Sequence, residues 1–105
     1  MNQEDYTMEG KWNFTVHTFM GDMRSIYDIK VVGHKLEGTA TDASNGATAP
    51  IENGTFDGKN FSWVMTIKTA VGEMTNTLTG TLEGDTLKGQ SSNPMGSFDF
   101  DAVRA

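Results

Sequence analysis

The chain repeats itself at an offset of 51 residues, and no other feature of the sequence constrains the fold as strongly. Identical residues recur without a gap over most of a half, beginning with Trp12 and Trp63. The further identical pairs are Thr18 and Thr69, Gly21 and Gly72, Met23 and Met74, Gly33 and Gly84, Leu36 and Leu87, and Gly38 and Gly89. The sequence therefore predicts a tandem duplication, with halves at about 10–58 and 61–105.

Alternation of apolar and polar residues predicts eight strands. Residues 61–67 show it clearly, because Phe61, Trp63 and Met65 share one face of a strand while the residues between them share the other. Glycine-rich turns separate such segments along the chain. We predict strands at about 10–18, 22–32, 35–42, 46–53, 60–69, 73–83, 86–92 and 96–103.

Strands of this kind need a covered inner face and no exposed edges, and closure into a barrel supplies both. We therefore expect an all-β protein with one eight-stranded antiparallel up-and-down barrel over residues 10–105. An open sandwich of two four-stranded sheets is the alternative. The polar residues 1–9 are expected to form a flexible N-terminal arm.

Composition excludes several classes of partner. The net charge of −6 and the pI near 4.6 oppose binding to nucleic acid or to anionic membranes. The acidic N-terminus opens no signal peptide, and no apolar run approaches the roughly 20 residues of a membrane span. We expect a cytoplasmic protein of bacterial type, with neither a nucleic-acid nor a membrane partner.

No motif of catalysis or metal binding is present. His17 and His34 lack a second ligand at metal spacing, so no metal site is predicted. There is no cysteine, no glycine-rich phosphate loop and no nucleophile elbow. We therefore predict no cofactor, no catalytic residue and no enzymatic activity.

The inward faces of the predicted strands combine small and large side chains. Small residues at 38, 40, 47, 49, 89 and 91 face large aromatic ones, which leaves either a cavity or a space that the indoles of Trp12 and Trp63 fill. If a cavity is present, the predicted ligand-contact residues are Trp12, Tyr27, Trp63, Asn76, Phe98 and Phe100.

Polar residues also fall on these inward faces. Ser25, Tyr27, Asn76 and Ser91 either converge on a ligand or bind water and backbone near the rim. Ser25 and Asn76 are equivalent positions of the two halves, near the end that carries four glycine turns.

The two ends of the predicted barrel differ in polarity. Three of the four glycine turns carry apolar side chains, whereas the turns of the other end are polar, as at Asp57 and Asp85. An exposed apolar ring marks a ligand entrance or a protein contact, unless its loops fold inward and plug the barrel. The predicted mouth residues are Phe19, Met20, Val71 and Met95.

These features favour binding of a small apolar ligand in the barrel. The alternative is a non-catalytic interaction module, in which the apolar turns dock onto a second copy or onto a partner enzyme.

Several motifs resemble a family of small bacterial barrel domains with a recurring Thr-Pro-Met-Gly turn. They are Gly10-Lys11-Trp12, Gly84-Asp85-x-Leu87-x-Gly89, Asn93-Pro94-Met95-Gly96 and the terminal Phe100-Asp101-Ala102-Val103-Arg104. The resemblance covers nearly the whole chain. It implies a lipocalin-like (calycin-like) barrel that binds a small apolar molecule, and it adds no catalytic residue.

Overall fold

A computed structural model describes residues 8–44, 46–69, 72–94 and 96–105, and within these ranges the protein consists of strands and turns. The nine strands are β1 (Gly10–Thr18), β2 (Gly21–Val32), β3 (Lys35–Asp42), β4 (Thr48–Pro50), β5 (Glu52–Phe56), β6 (Asn60–Thr69), β7 (Gly72–Glu83), β8 (Thr86–Asn93) and β9 (Gly96–Arg104). None of the described residues forms a helix with the length and apolarity that a membrane crossing requires.

The strands close into an antiparallel barrel. Consecutive strands pair with each other except β4 and β5, which both pair with β3. The last strand, β9, returns to pair with β1, where Trp12 lies opposite Arg104. The predicted all-β fold and the predicted closed barrel are thus confirmed, with one strand more than the eight expected. Closure leaves no long sheet edge unpaired, which suits strands that are apolar on one face only.

The predicted fourth strand, 46–53, is wrong in its bounds, because the chain forms β4 and β5 here. The break lies at Ile51, whose N–H donates a hydrogen bond to the carbonyl of Gly38 at 2.9 Å. Just beyond it, Asn53 has a φ of 53°, and the pairing of β5 with β6 shifts register between Glu52 and Thr55. Asparagine tolerates this left-handed backbone better than most residues, so the strand bends and continues to Phe56.

Glycines allow the strands to approach closely at two positions that are 51 residues apart, Gly38 and Gly89. A Cβ atom at Gly38 would lie 1.9 Å from the carbonyl oxygen of Asp28, and one at Gly89 would lie 2.0 Å from that of Thr79. A larger residue would push the paired strands apart at either place. The small inward residues therefore serve strand packing at these two points.

The antiparallel order puts four connections at one end of the barrel and three at the other. The β1–β2, β3–β4, β6–β7 and β8–β9 turns lie together at one end, which we call the open end. The β2–β3, β5–β6 and β7–β8 turns lie at the other, which we call the closed end, together with Met8 and the C-terminus.

Residues that the sequence places in the N-terminal arm cover the closed end. Met8 is fully buried, and its carbonyl accepts a hydrogen bond from Nε1 of Trp12 at 2.8 Å. The guanidinium of Arg104 lies 4.2 Å from the centre of the Trp12 ring and donates to the carbonyl of Glu9 at 2.6 Å. The Glu9 carboxylate accepts from the N–H of Val31 at 3.1 Å. Residues 1–7 of the predicted arm lie outside the described residues.

Candidate functional site

Aromatic side chains fill the middle of the barrel. Phe14 is at the centre of the cluster, with ring centroids 4.0 Å from Tyr27 and 5.8 Å from Trp63. Phe61 stacks on Trp63 at 5.1 Å, and Phe100 completes the cluster 5.2 Å from Phe14. All five rings are at least 95% buried, because none has a relative exposure above the 5% of Tyr27. We call these five rings the aromatic floor.

Above the floor, described side chains on the inner face of the barrel are exposed. Met23 lies opposite Val16, on the same face as buried Tyr27, yet it is 57% exposed. Ile67 continues the inward series of Phe61, Trp63 and Met65, yet it is 42% exposed. Side chains that point into a closed barrel stay exposed only where the barrel is open above them. We call this space the cup, and the described residues of its wall are Val16, Met23, Ile67, Met74 and Phe98.

Polar groups lie between the floor and the cup. The Tyr27 hydroxyl donates a hydrogen bond to Sδ of Met65 at 3.1 Å. Oδ1 of Asn76, a residue 7% exposed, accepts from Nδ2 of Asn93 at 2.8 Å. Ser91 is buried nearby, since it lies opposite Leu78 on β7 and Phe98 on β9.

One buried donor at this level has no partner. Among the described residues, Nε1 of Trp63 is the buried side-chain nitrogen or oxygen that makes no hydrogen bond. The corresponding atom of the other tryptophan, Nε1 of Trp12, is satisfied by the carbonyl of Met8. An unmet buried donor costs free energy, so it points to strain or to an absent partner.

The electrostatic setting of the cup disfavours anions. Burial raises the pKa of Tyr27 well above its usual value, while the nearby side chains of Trp63 and Ser25 act in the opposite direction. Asp42 lies opposite Ser25 on the inner face at the rim, and hydrogen bonds from the Ser44 side chain and backbone lower its pKa. The rim therefore carries the negative charge of Asp42, and the buried hydroxyl of Tyr27 in the floor resists deprotonation.

An exposed apolar turn borders the cup. Phe19 and Met20 form the β1–β2 connection and are 78% and 85% exposed. The Phe19 ring lies 6.2 Å from that of Phe98 on the cup wall. The apolar surface of the turn is therefore continuous with the cup.

The structure brings together most of the residues predicted for the site. Tyr27, Trp63 and Phe100 lie in the floor, Asn76 lies just above it, and Phe98 lies in the wall. Trp12 differs from these residues, because its indole N–H is directed to the carbonyl of Met8 at the closed end. Of the predicted mouth residues, Phe19 and Met20 border the cup, while Val71 and Met95 lie outside the described residues.

The sequence did not identify four residues of the wall: Val16, Met23, Ile67 and Met74. The signal was present, because each continues the inward alternation of its strand toward the open end. Their exposure was not predictable from alternation, since it depends on how far up the barrel the aromatic rings reach.

Two other features of the described residues lie outside the cup. His17 lies on the outer face, where its ring nitrogens are 2.9 Å from Asp22 and 3.0 Å from Asp101. These hydrogen bonds, first that of Asp101 and then that of Asp22, raise the pKa of His17. No group of three His, Asp or Glu side chains within the described ranges is arranged to hold a metal ion. An open groove near His34 and Phe56 lies at the closed end, away from the cup.

No protein-family model, curated protein or solved structure matches the chain.

Proposed function

We propose that the protein binds a small, mostly apolar molecule in the cup. The observation that carries the proposal is the exposure of Met23 and Ile67, two side chains on the inner face of a closed barrel. Exposed inward apolar surface gains free energy when a ligand covers it, at roughly 25 cal/mol per Å². Below the cup the aromatic floor fills the barrel, so the apolar body of the ligand lies at the open end, above the floor.

The composition of the wall suits an adaptable binding site. Methionine is flexible and polarisable, and Met23 and Met74 both lie on the wall. Ligand sites combine such apolar walls with a few polar groups, which Tyr27 and Asn76 supply here. A ligand would also cover part of Phe19, whose ring adjoins the wall.

Displacement of an uncharged fluorescent dye tests the proposal. N-phenylnaphthylamine should bind saturably, with enhanced emission. The substitution Ile67→Asp should weaken this binding by at least about tenfold, because it puts a carboxylate into the apolar cup.

The chain offers a matched control in Ile26, which is also 42% exposed but lies on the outer face between Ser25 and Tyr27. Ile26→Asp should leave dye binding within about twofold of the wild type. Equal losses in both variants, or no saturable binding by the wild type, would contradict the proposal.

A second candidate function rests on the exposed Phe19 and Met20. We propose, as the alternative, that this turn docks onto a second copy of the chain or onto a partner enzyme. Light scattering should then show a mass above that of one chain, and Met20→Asp should return it to one chain while leaving dye binding intact. A single-chain mass up to about millimolar concentration would remove self-association.

We also propose that the barrel arose by duplication and is of lipocalin-like type, as the resemblance implies. The close strand approach at both Gly38 and Gly89 supports the duplication, because both positions exclude a side chain for the same reason. An open end for ligands and a closed opposite end support the lipocalin-like comparison.

A further inference from the structure

Two hydrogen-bond donors at the base of the cup are poorly used within the protein. Nε1 of Trp63 is buried without a partner. The Tyr27 hydroxyl donates its hydrogen bond to the sulfur of Met65, and a thioether sulfur is a weak acceptor. Both donors would gain from an oxygen acceptor placed between them.

The two donors are close to each other. The rings of Tyr27 and Trp63 are 5.4 Å apart at their centroids. The Trp63 side chain is also within hydrogen-bonding reach of the Tyr27 hydroxyl, which opposes the effect of burial on the Tyr27 pKa, but Nε1 does not meet the geometry of a hydrogen bond. One acceptor atom can therefore be reached by both.

The Tyr27 hydroxyl is directed toward the open end. Its acceptor, Met65, lies one inward position nearer the open end than Trp63. Ser25, whose side chain also affects the pKa of the Tyr27 hydroxyl, lies one inward position nearer the open end than Tyr27. A group that descends from the cup meets this hydroxyl first.

The surroundings select against a charged acceptor. Among the described residues on the inner face at the open end, Asp42 carries the charge, and it is negative. A carboxylate in the cup would be repelled by Asp42 and would lose its hydration at the floor. A carbonyl oxygen has two lone pairs and no charge, which matches two donors.

We propose that the ligand of the cup carries one uncharged acceptor oxygen, as in a ketone, aldehyde or ester, which accepts hydrogen bonds from Nε1 of Trp63 and from the Tyr27 hydroxyl. This inference rests on the proposed function of the cup and names the chemical class of its ligand.

Three compounds of similar size separate the contribution of the acceptor oxygen from those of apolar burial and of charge. Butyrophenone carries a ketone, butylbenzene is its analogue without oxygen, and phenylbutyrate is a carboxylate. Each is titrated against bound N-phenylnaphthylamine at neutral pH. Butyrophenone should bind about three- to tenfold more tightly than butylbenzene, and phenylbutyrate should bind most weakly.

Removing the indole N–H tests the assigned donor. In Trp63→Phe the preference for butyrophenone over butylbenzene should fall to about twofold or less. Trp12→Phe is the control, because Trp12 faces the closed end, and it should keep the full preference. Should Trp63→Phe fail to fold, benzothienylalanine at position 63 keeps the shape of the indole and lacks the N–H.

The outcomes are distinguishable. Equal affinities of butyrophenone and butylbenzene, or a preference that survives loss of the Trp63 N–H, would overturn this inference and leave the apolar cup intact. Tighter binding of phenylbutyrate would do the same. Absence of dye binding by the wild type would overturn the inference and the proposed function together.

Discussion

The two tryptophans, which are 51 residues apart, differ in how their indole N–H groups are satisfied. At the closed end, Trp12 is covered by Met8 and Arg104, and its indole N–H is satisfied by a backbone carbonyl. At the base of the open end, Trp63 is equally buried, but its N–H has no partner in the described protein. Residues of the chain itself cover the closed end. At the open end, the described residues leave one indole N–H without an acceptor and inward apolar side chains exposed.

The difference follows from what each end can recruit. The chain before β1 passes across the closed end and supplies the carbonyls of Met8 and Glu9. The open end has short turns, and the two residues of the β1–β2 turn are exposed. Similar strands therefore need not form similar sites. The residues that cover an end, here Met8 and Glu9, decide whether its inward-facing groups are buried and hydrogen-bonded.

Stability should respond more strongly at the closed end than at the open end, and an isoleucine pair measures this. Ile29→Ala should lower the free energy of unfolding by about 2–4 kcal/mol, because Ile29 is fully buried near the closed end. Ile67→Ala should cost about 1 kcal/mol or less, because that side chain is 42% exposed in the cup. Urea denaturation gives both values, and equal losses would break the comparison.

The cap of the closed end should contribute a smaller, separable amount. Arg104→Met keeps an apolar stem over Trp12 but removes the cation and the hydrogen bond to the Glu9 carbonyl. We expect unfolding to become easier by about 1–2 kcal/mol. Arg24→Met, at an exposed position of β2, is the control and should change stability by less than about 0.5 kcal/mol. If the two variants behave alike, the cap is not a stabilising element.

The smallest effect is expected from His17, which links β1 to β2 and β9 on the outer surface of the open end. Its pKa in the folded protein is raised above the usual 6.5. The charged form therefore stabilises the fold below pH 6.5, and this contribution is lost as the pH rises through the raised value. A proton-resonance titration should show the raised pKa in the wild type.

Two carboxylates separate the causes of that shift. Asp101→Asn should return the pKa of His17 further toward 6.5 than Asp22→Asn, because the hydrogen bond to Asp101 is the larger cause. Unchanged titration of His17 in Asp101→Asn would show that the outer ion pair does not form.

Much of the fold could be predicted from the sequence because alternation and turn glycines act locally. The inward series Phe61, Trp63 and Met65 follows from period-two alternation alone. The break between β4 and β5 could not be predicted, since the positive φ of Asn53 depends on pairing with distant strands.

The site was predictable only in part. Tyr27, Trp63 and Phe98 could be identified as inward-facing, whereas the different hydrogen bonding of the two indole N–H groups could not. That difference depends on Met8, whose carbonyl accepts the N–H of Trp12 at the closed end. A polar N-terminal sequence gives no sign of this contact.

The central claim is that the open end binds an apolar ligand and the closed end does not, and methyl resonances test it most directly. Methionine and isoleucine methyl groups occur at both ends, as Met23, Met74 and Ile67 in the cup wall and as Met8 and Ile29 at the closed end. On titration with N-phenylnaphthylamine, the account predicts shifts of the three wall methyls and unchanged positions of the other two. Shifts centred on Met8 and Ile29, or no shift in any of the five at dye saturation, would contradict it.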